Sequence, residues 1–327
     1  MPSTNPAPAA RRYRAGLVLV LLVVGGTSAV AASRTSTTFD EIVLVAAGAR
    51  ALETGSWSMV LDQPPLMPLL YGLPVWAAGV RYPSEVRERG WTYDDRWEYA
   101  RALFFGVGND PERVAWRARL VALALAMVLI AVAYAYGVWI EGPRTGLIAA
   151  FLVGFLPDVM AHAGVAYNDV PMALAYLLAV WALDAAIRRP SPGLGVLAGA
   201  AVAGAAGVKF SALALAPVAG LLLVLQLVGR DRTRPDAWGR RLGVATALGI
   251  VAAYALLVLT YRGDTFLVRL EYGLRFTVEH ASEGHPAPAW LFGRTRPDGW
   301  WYFFPAAFLV KTPAALHALV PLAAVGL

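Results

Sequence analysis

Apolar residues run through this chain in long blocks rather than at every third or fourth position. The first block covers 16–32, directly after Arg11, Arg12 and Arg14. Others cover about 116–139, 146–165, 170–187, 194–208, 211–228 and 242–261, and a last one starts near Trp300 or Thr312. Several reach or approach the roughly 20 residues that carry a helix across a bilayer. The pattern therefore predicts membrane-spanning helices joined by short polar connections. The stretch 66–80 differs: it is short for a span, contains Pro68 and Pro74, and follows Asp62-Gln63-Pro64-Pro65. It is expected to lie at the interface as a helix rather than to cross. Ala29-Val30-Ala31 resembles a small-residue cleavage site, but with so many spans downstream the first block is expected to remain as an uncleaved span.

Charge sorts the connections by side. If 66–80 does not cross, the links at 140–145, 188–193 and 229–241 share one face and carry Arg144, Arg188, Arg189, Arg230, Arg232, Arg234, Arg240 and Arg241. The opposite short links, near 166–169 and 209–210, carry only Lys209. Positively charged loops stay in the cytoplasm, so this asymmetry and the arginines before the first block place residues 33–115 and 262–298 outside as two long outer loops. The second of these holds five arginines and five acids.

Composition agrees with the pattern. The chain is 58% hydrophobic and 15% charged, with a mean hydropathy of +0.55, whereas soluble domains carry about 25% charge. The net charge of +6 is mostly arginine beside apolar blocks and reads as topology, not as a nucleic-acid surface. The absence of cysteine excludes disulfides, thiolate metal sites and cysteine nucleophiles. Of 28 basic residues only Lys209 and Lys311 are lysines, and both stand in apolar surroundings where a charge is costly.

Candidate chemistry gathers on the outer side. Asp40 and Glu41 are adjacent carboxylates just beyond the first block, placed to take a proton from a hydroxyl at the membrane surface. Asp169 lies in the Tyr167-Asn168-Asp169-Val170-Pro171 turn between two spans, where it also suits a helix N-cap. The run 194–208 spans about 22 Å at 1.5 Å per residue, less than the hydrocarbon core, so Lys209 is expected slightly recessed from the outer surface. A cation there suits a lipid phosphate. His162, His280, His285 and His317 have no metal-ligand spacing; His285, near Glu283 in the second loop, is a candidate for touching substrate.

At this point the residues resemble a family. Phe39-Asp40-Glu41, Ala49-Arg50-Ala51-Leu52-Glu53-Thr54-Gly55-Ser56-Trp57 and Gln63-Pro64-Pro65-Leu66 are similar to the first outer loop of GT-C-type glycosyltransferases. The nearest groups are the protein O-mannosyltransferases and the aminoarabinose transferase of lipid A. The likeness continues through Arg117-Ala118-Arg119-Leu120, the Tyr167 turn, Gly207-Val208-Lys209-Phe210-Ser211, Gly299-Trp300-Trp301-Tyr302-Phe303-Phe304-Pro305 and Lys311-Thr312-Pro313. Each motif is weak alone, and the ordered set is what carries the resemblance. It implies transfer of a sugar from a polyprenyl-phosphate donor to a protein, lipid or glycan acceptor outside the cytoplasmic membrane, usually with inversion. It implies Asp40 as catalytic base with Glu41 beside it. Asp169, Lys209, Lys311, Arg262 and His285 are then substrate-binding candidates, the cations meeting the leaving phosphate.

The expected architecture is thus an all-α polytopic membrane protein, a GT-C-like transmembrane helix bundle with interfacial helices in the first outer loop. One transmembrane domain is expected over 1–327, as part of a longer protein, because the chain stops inside an apolar block. No cofactor is expected, the lipid-linked sugar being a substrate. No metal is expected either, since no DxD triplet follows the first span. The rival class is a transporter or lipid flippase, for which repeated halves and broken helices at the bilayer midplane are the signature. A non-catalytic assembly partner keeping the same fold is a third reading.

Overall fold

The first apolar block and the arginines before it form one continuous helix, α1 (Pro8–Arg34). In the computed structural model, which describes residues 8–84, 91–229, 237–261, 266–283 and 288–325, it is the first of fourteen α-helices. Val20 and Val24 of α1 pack on Ile130 and Ala150, so the block is built into the bundle. Among the described residues, five helical stretches are long and apolar enough to span: Arg11–Arg34, Pro111–Ile140, Asp169–Arg188, Phe210–Val228 and Ala237–Thr260. The molecule is an all-α multi-pass membrane protein.

Contacts divide the described chain into two units, Met1–Leu274 and Arg275–Leu327. In the first, α2 (Phe39–Thr54) and α3 (Leu66–Trp76) follow α1. At roughly 24 and 16 Å by helical rise, neither is long enough to cross. The two pack backbone to backbone where Gly48 crosses Gly72. A Cβ at Gly48 would fall 1.6 Å from the Pro68 carbonyl oxygen, and one at Gly72 would fall 2.2 Å from the Ala49 nitrogen. Next comes α4 (Tyr93–Arg101), followed by a π-helical turn at Ala102–Gly106. Leu103 and Phe104 of that turn are fully buried in the same core as Val45, Tyr71, Ala118, Met172 and Val208.

The spanning core starts with α5 (Pro111–Ile140), whose N-terminus is fixed by Asp110 accepting from the Glu112 and Arg113 amides, with Pro111 at the first helical position. The predicted span over 146–165 is instead two helices, α6 (Pro143–Gly154) and α7 (Pro157–His162). Pro157 explains the break. It lacks the N–H an unbroken helix needs, and it takes the first position of a new helix. Then α8 (Asp169–Arg188), α9 (Pro192–Val208), a 3₁₀ turn at Phe210–Ala214, α10 (Leu215–Val228) and α11 (Ala237–Thr260) follow, α9 packing on both α8 and α11.

The second predicted loop also proves to be structured. Residues 266–283 form α12 (Phe266–Glu283), within which the division between the units falls. Its apolar Leu267, Leu270, Leu274 and Val278 recur at helical spacing among charged residues, so its mixed composition conceals an amphipathic helix. An i,i+4 pair, Arg275–Glu279 at 2.7 Å, lies on its charged side. In the second unit β1 (Ala289–Leu291) pairs antiparallel with β2 (Arg294–Arg296) through Phe292 and Gly293, both at positive φ, as a two-residue hairpin turn requires. Helices α13 (Phe303–Lys311) and α14 (Ala314–Val325) complete the described chain.

Candidate active site

Thr38 precedes α2 as its N-cap and Glu41 stands at its third helical position, the spacing of a capping box. The Glu41 carboxylate accepts the Thr38 amide at 3.1 Å, but most of its bonding goes elsewhere. Two turns into α5, Arg119 meets it in a two-pronged pair, Nε to Oε1 at 2.9 Å and Nη2 to Oε2 at 2.7 Å. Oε1 also accepts the Ala166 amide at 3.0 Å. The guanidinium gives its remaining N–H groups to the carbonyls of Ala32 (2.7 Å), Thr35 (2.9 Å) and Ser36 (2.9 Å). All five arginine donors and both carboxylate oxygens are therefore engaged inside a buried pair. This clamp ties together the end of α1, the turn into α2, α5 and the loop before α8.

Asp40, one residue earlier, points away from the clamp and keeps access to solvent. The Tyr167 phenol lies close enough to the Asp40 carboxylate to favour its charged form. Protein nevertheless surrounds that carboxylate closely, and burial raises its pKa above the ordinary value. Arg96 and the Tyr167 phenol pull it down, while Asp169 and Asp62 push it up. Arg96 is itself bonded to Asp62 at 2.6 Å. It is delivered by α4, whose neighbouring Trp97 stacks on Phe39 with ring centroids 3.5 Å apart. The residue just before Asp40 is thus anchored by an aromatic pair.

The Tyr167 turn is pinned from three sides. Tyr71, fully buried in α3, donates to the Tyr167 carbonyl at 2.7 Å. Buried Asn168 donates to Gln63 at 3.0 Å, and the Ala166 amide is held by Glu41. Asp169, the first residue of α8, accepts from Lys209 at 3.0 Å, both side chains being about half exposed. The Lys209 ammonium also lies 5.9 Å from the centre of the Tyr167 ring. Lys209 ends α9, and the chain after it is fixed by a hydrogen bond from Tyr176 to the Ser211 carbonyl. Burial and the two carboxylates push the Tyr167 phenol up to about 12, so it remains a hydrogen-bond donor at neutral pH.

The structure thus brings Asp40, Asp169 and Lys209 into one cluster around Tyr167, and turns Glu41 away into the clamp. Lys311 ends α13 in the second unit, exposed. Arg262 and His285 lie outside the described residues. Among the described residues no group of three or more His, Cys, Asp or Glu side chains is arranged to hold a metal. Sequence reasoning gave no role to Tyr167, Arg96, Asp62 or Arg119. The Thr38-Phe39-Asp40-Glu41 spacing carried a usable signal, because a capping box already predicts that its glutamate turns back toward the helix start.

The family model for dolichyl-phosphate-mannose-protein mannosyltransferases matches residues 98–261, half of the chain. The chain belongs to this family. It is a membrane glycosyltransferase of the GT-C type, which sets aside the transporter class. The segment matched to the mannosyltransferase family contains Arg119, Tyr167, Asp169 and Lys209, while Asp40, Glu41, Asp62 and Arg96 precede it. No curated protein and no solved structure was found to match the chain.

Proposed function

We propose that this glycosyltransferase moves a sugar from a polyprenyl-phosphate donor to an acceptor hydroxyl at the extracytoplasmic face of the membrane, with inversion at C1. The observation that carries the proposal is the cluster itself: the exposed Asp40 carboxylate beside the Tyr167 turn, and Lys209 paired with Asp169 and near the Tyr167 ring. Asp40 takes the proton of the acceptor hydroxyl as its oxygen attacks C1. The bond from C1 to the phosphate oxygen breaks, and its electron pair leaves with the lipid phosphate. Lys209 turns from Asp169 toward that phosphate and stabilises the growing charge. Because Asp40 acts on the acceptor and not on C1, one displacement occurs and the configuration inverts. The extracytoplasmic assignment draws its support from the arginine asymmetry of the short links.

Glu41 in this mechanism positions Asp40 through the clamp and does not touch substrate. Lys311, Arg262 and His285 remain proposals for donor binding, and the family's description makes a protein hydroxyl the first acceptor to test. Protein cations meet the phosphate here, so EDTA is expected to leave transfer unchanged. Loss on chelation with recovery on adding a divalent ion would put a metal in that role. The main test is transfer from radiolabelled polyprenyl-phosphate mannose in membranes containing the chain. Asp40→Asn is expected to lower it by about a hundred- to ten-thousand-fold.

A further inference from the structure

We propose that a cleft over α4 and the π-helical turn binds the acceptor as an oligosaccharide, its sugar rings lying on aromatic side chains and its hydroxyls meeting carboxylates. The inference rests on the glycosyltransferase reading and narrows the acceptor which that reading leaves open. Asp95, Glu98, Tyr99 and Ala102 recur at i, i+3, i+4 and i+7, one face of α4 and of the turn that continues it. With Trp91 they line a cavity of about 290 Å³. Glu98, Ala102 and Gly106 are shared with a second cavity of about 830 Å³, which Trp97, Arg101 and Phe105 complete. Both volumes are comparable with those of small-ligand sites. The Trp91 ring is set in advance: the buried Arg50 guanidinium lies 4.9 Å from its centre, and Tyr99 meets it edge-on at 5.5 Å.

The π turn is the least ordinary element of the first unit, and the mechanism above does not use it. Such turns are rare and stand mostly at functional sites. Leu103 and Phe104 on it are fully buried, yet Phe105 beside them is 59% exposed. Phe105 shares its cavity with the charged Glu98 and Arg101, which hydrocarbon would not admit, so the ring faces water. A pyranose suits this wall. Its apolar C–H face covers an aromatic ring, and its hydroxyls donate to carboxylates. A phosphate does not, because Asp95 and Glu98 repel it, which separates this cleft from the donor's cation at Lys209. An extended polypeptide is commonly held by pairing with a sheet edge. The wall here is helical, with its backbone groups bonded within it, and offers no edge. The cleft reaches the base through one contact: Trp97 stacks on Phe39 at 3.5 Å, and Asp40 follows Phe39. A saccharide bound along α4 therefore lies beside the start of α2, where the base stands.

The test needs no donor. The full chain, purified in a detergent without a sugar headgroup, is titrated with mannotriose, cellotriose and chitotriose, and separately with a peptide rich in serine and threonine. At least one saccharide is expected to bind, with magnetisation passing from aromatic protein protons to sugar C–H protons in saturation-transfer NMR. Phe105→Ala changes an exposed side chain and should weaken that binding about three- to tenfold, the scale of one stacked ring. Glu98→Gln, which removes a charged acceptor, should weaken it by a similar factor, and Trp91→Leu by at least as much. Asp40→Asn should bind the saccharide as tightly as the parent. Failure of all three saccharides to bind, or an affinity that Phe105→Ala and Glu98→Gln both leave unchanged, overturns the proposal. So does binding of the peptide in their place, which would return the cleft to the protein acceptor of the family's description. Normal transfer from radiolabelled polyprenyl-phosphate mannose by Asp40→Asn would sink the base assignment alone and leave a Phe105-dependent saccharide affinity standing.

Discussion

Glu41–Arg119 and Asp169–Lys209 are two carboxylate–cation pairs in one unit, and Tyr167 belongs to the loop that joins them. Their separations are similar, 2.7 and 3.0 Å. Their surroundings are opposite. The first pair has side-chain exposures of 0% and 4%, and every donor of its arginine is used. The second has exposures of 48% and 37%, and two of the three lysine protons have no role in the pair. A saturated buried pair has nothing left to offer a substrate, so its contribution is shape. An open pair with spare donors can exchange one partner for another. Asp40 belongs with the open group although its neighbour in sequence belongs to the closed one.

Removing one partner tests the closed pair most severely. Glu41→Ala or Arg119→Ala leaves a buried charge alone, at a cost of about 3–5 kcal/mol. Loss of monodisperse, folded protein in detergent, seen by size-exclusion and thermal unfolding, is the expected outcome. A variant as stable as the parent would show that the clamp does not organise this end of the bundle. Lys209→Ala should instead cost about 0–1 kcal/mol of stability, because its pair is exposed. Its effect belongs in the transfer step, with kcat expected to fall about a hundredfold as the growing charge on the phosphate loses its cation. A large stability loss without a change in kcat would reverse the comparison.

The smallest expected effect concerns Asp40 and stability. Its pKa is raised in the folded state, so the fold prefers the protonated form. Its ionisation therefore lowers stability as pH rises through the folded value. Asp40→Asn should unfold at a slightly higher temperature than the parent at neutral pH, with the gain vanishing in acid, where Asp40 is protonated. Glu41→Gln, by contrast, should lower the unfolding temperature.

Much of the bundle was legible in the sequence because a bilayer imposes length and apolarity on each span, and arginine placement sorted the links. The break at Pro157 was hidden by the continuous apolarity of 146–165, and α12 by its charge. The site was legible in part. Asp40, Asp169 and Lys209 were expected on one face, and the structure joins them. Tyr167 was legible only as part of the turn that carries Asp169, with no role of its own. Arg119 escaped because its partners Glu41 and Ala32 lie 78 and 87 positions away along the chain, a pairing that only the packing of α2 and α1 on α5 reveals.

Transfer of label from polyprenyl-phosphate mannose by Asp40→Asn, set beside its unfolding temperature, tests the division between the two pairs most directly. A folded protein at least as stable as the parent, with transfer lowered about a hundredfold or more, is expected if Asp40 is the base. Undiminished transfer by that folded variant would contradict it.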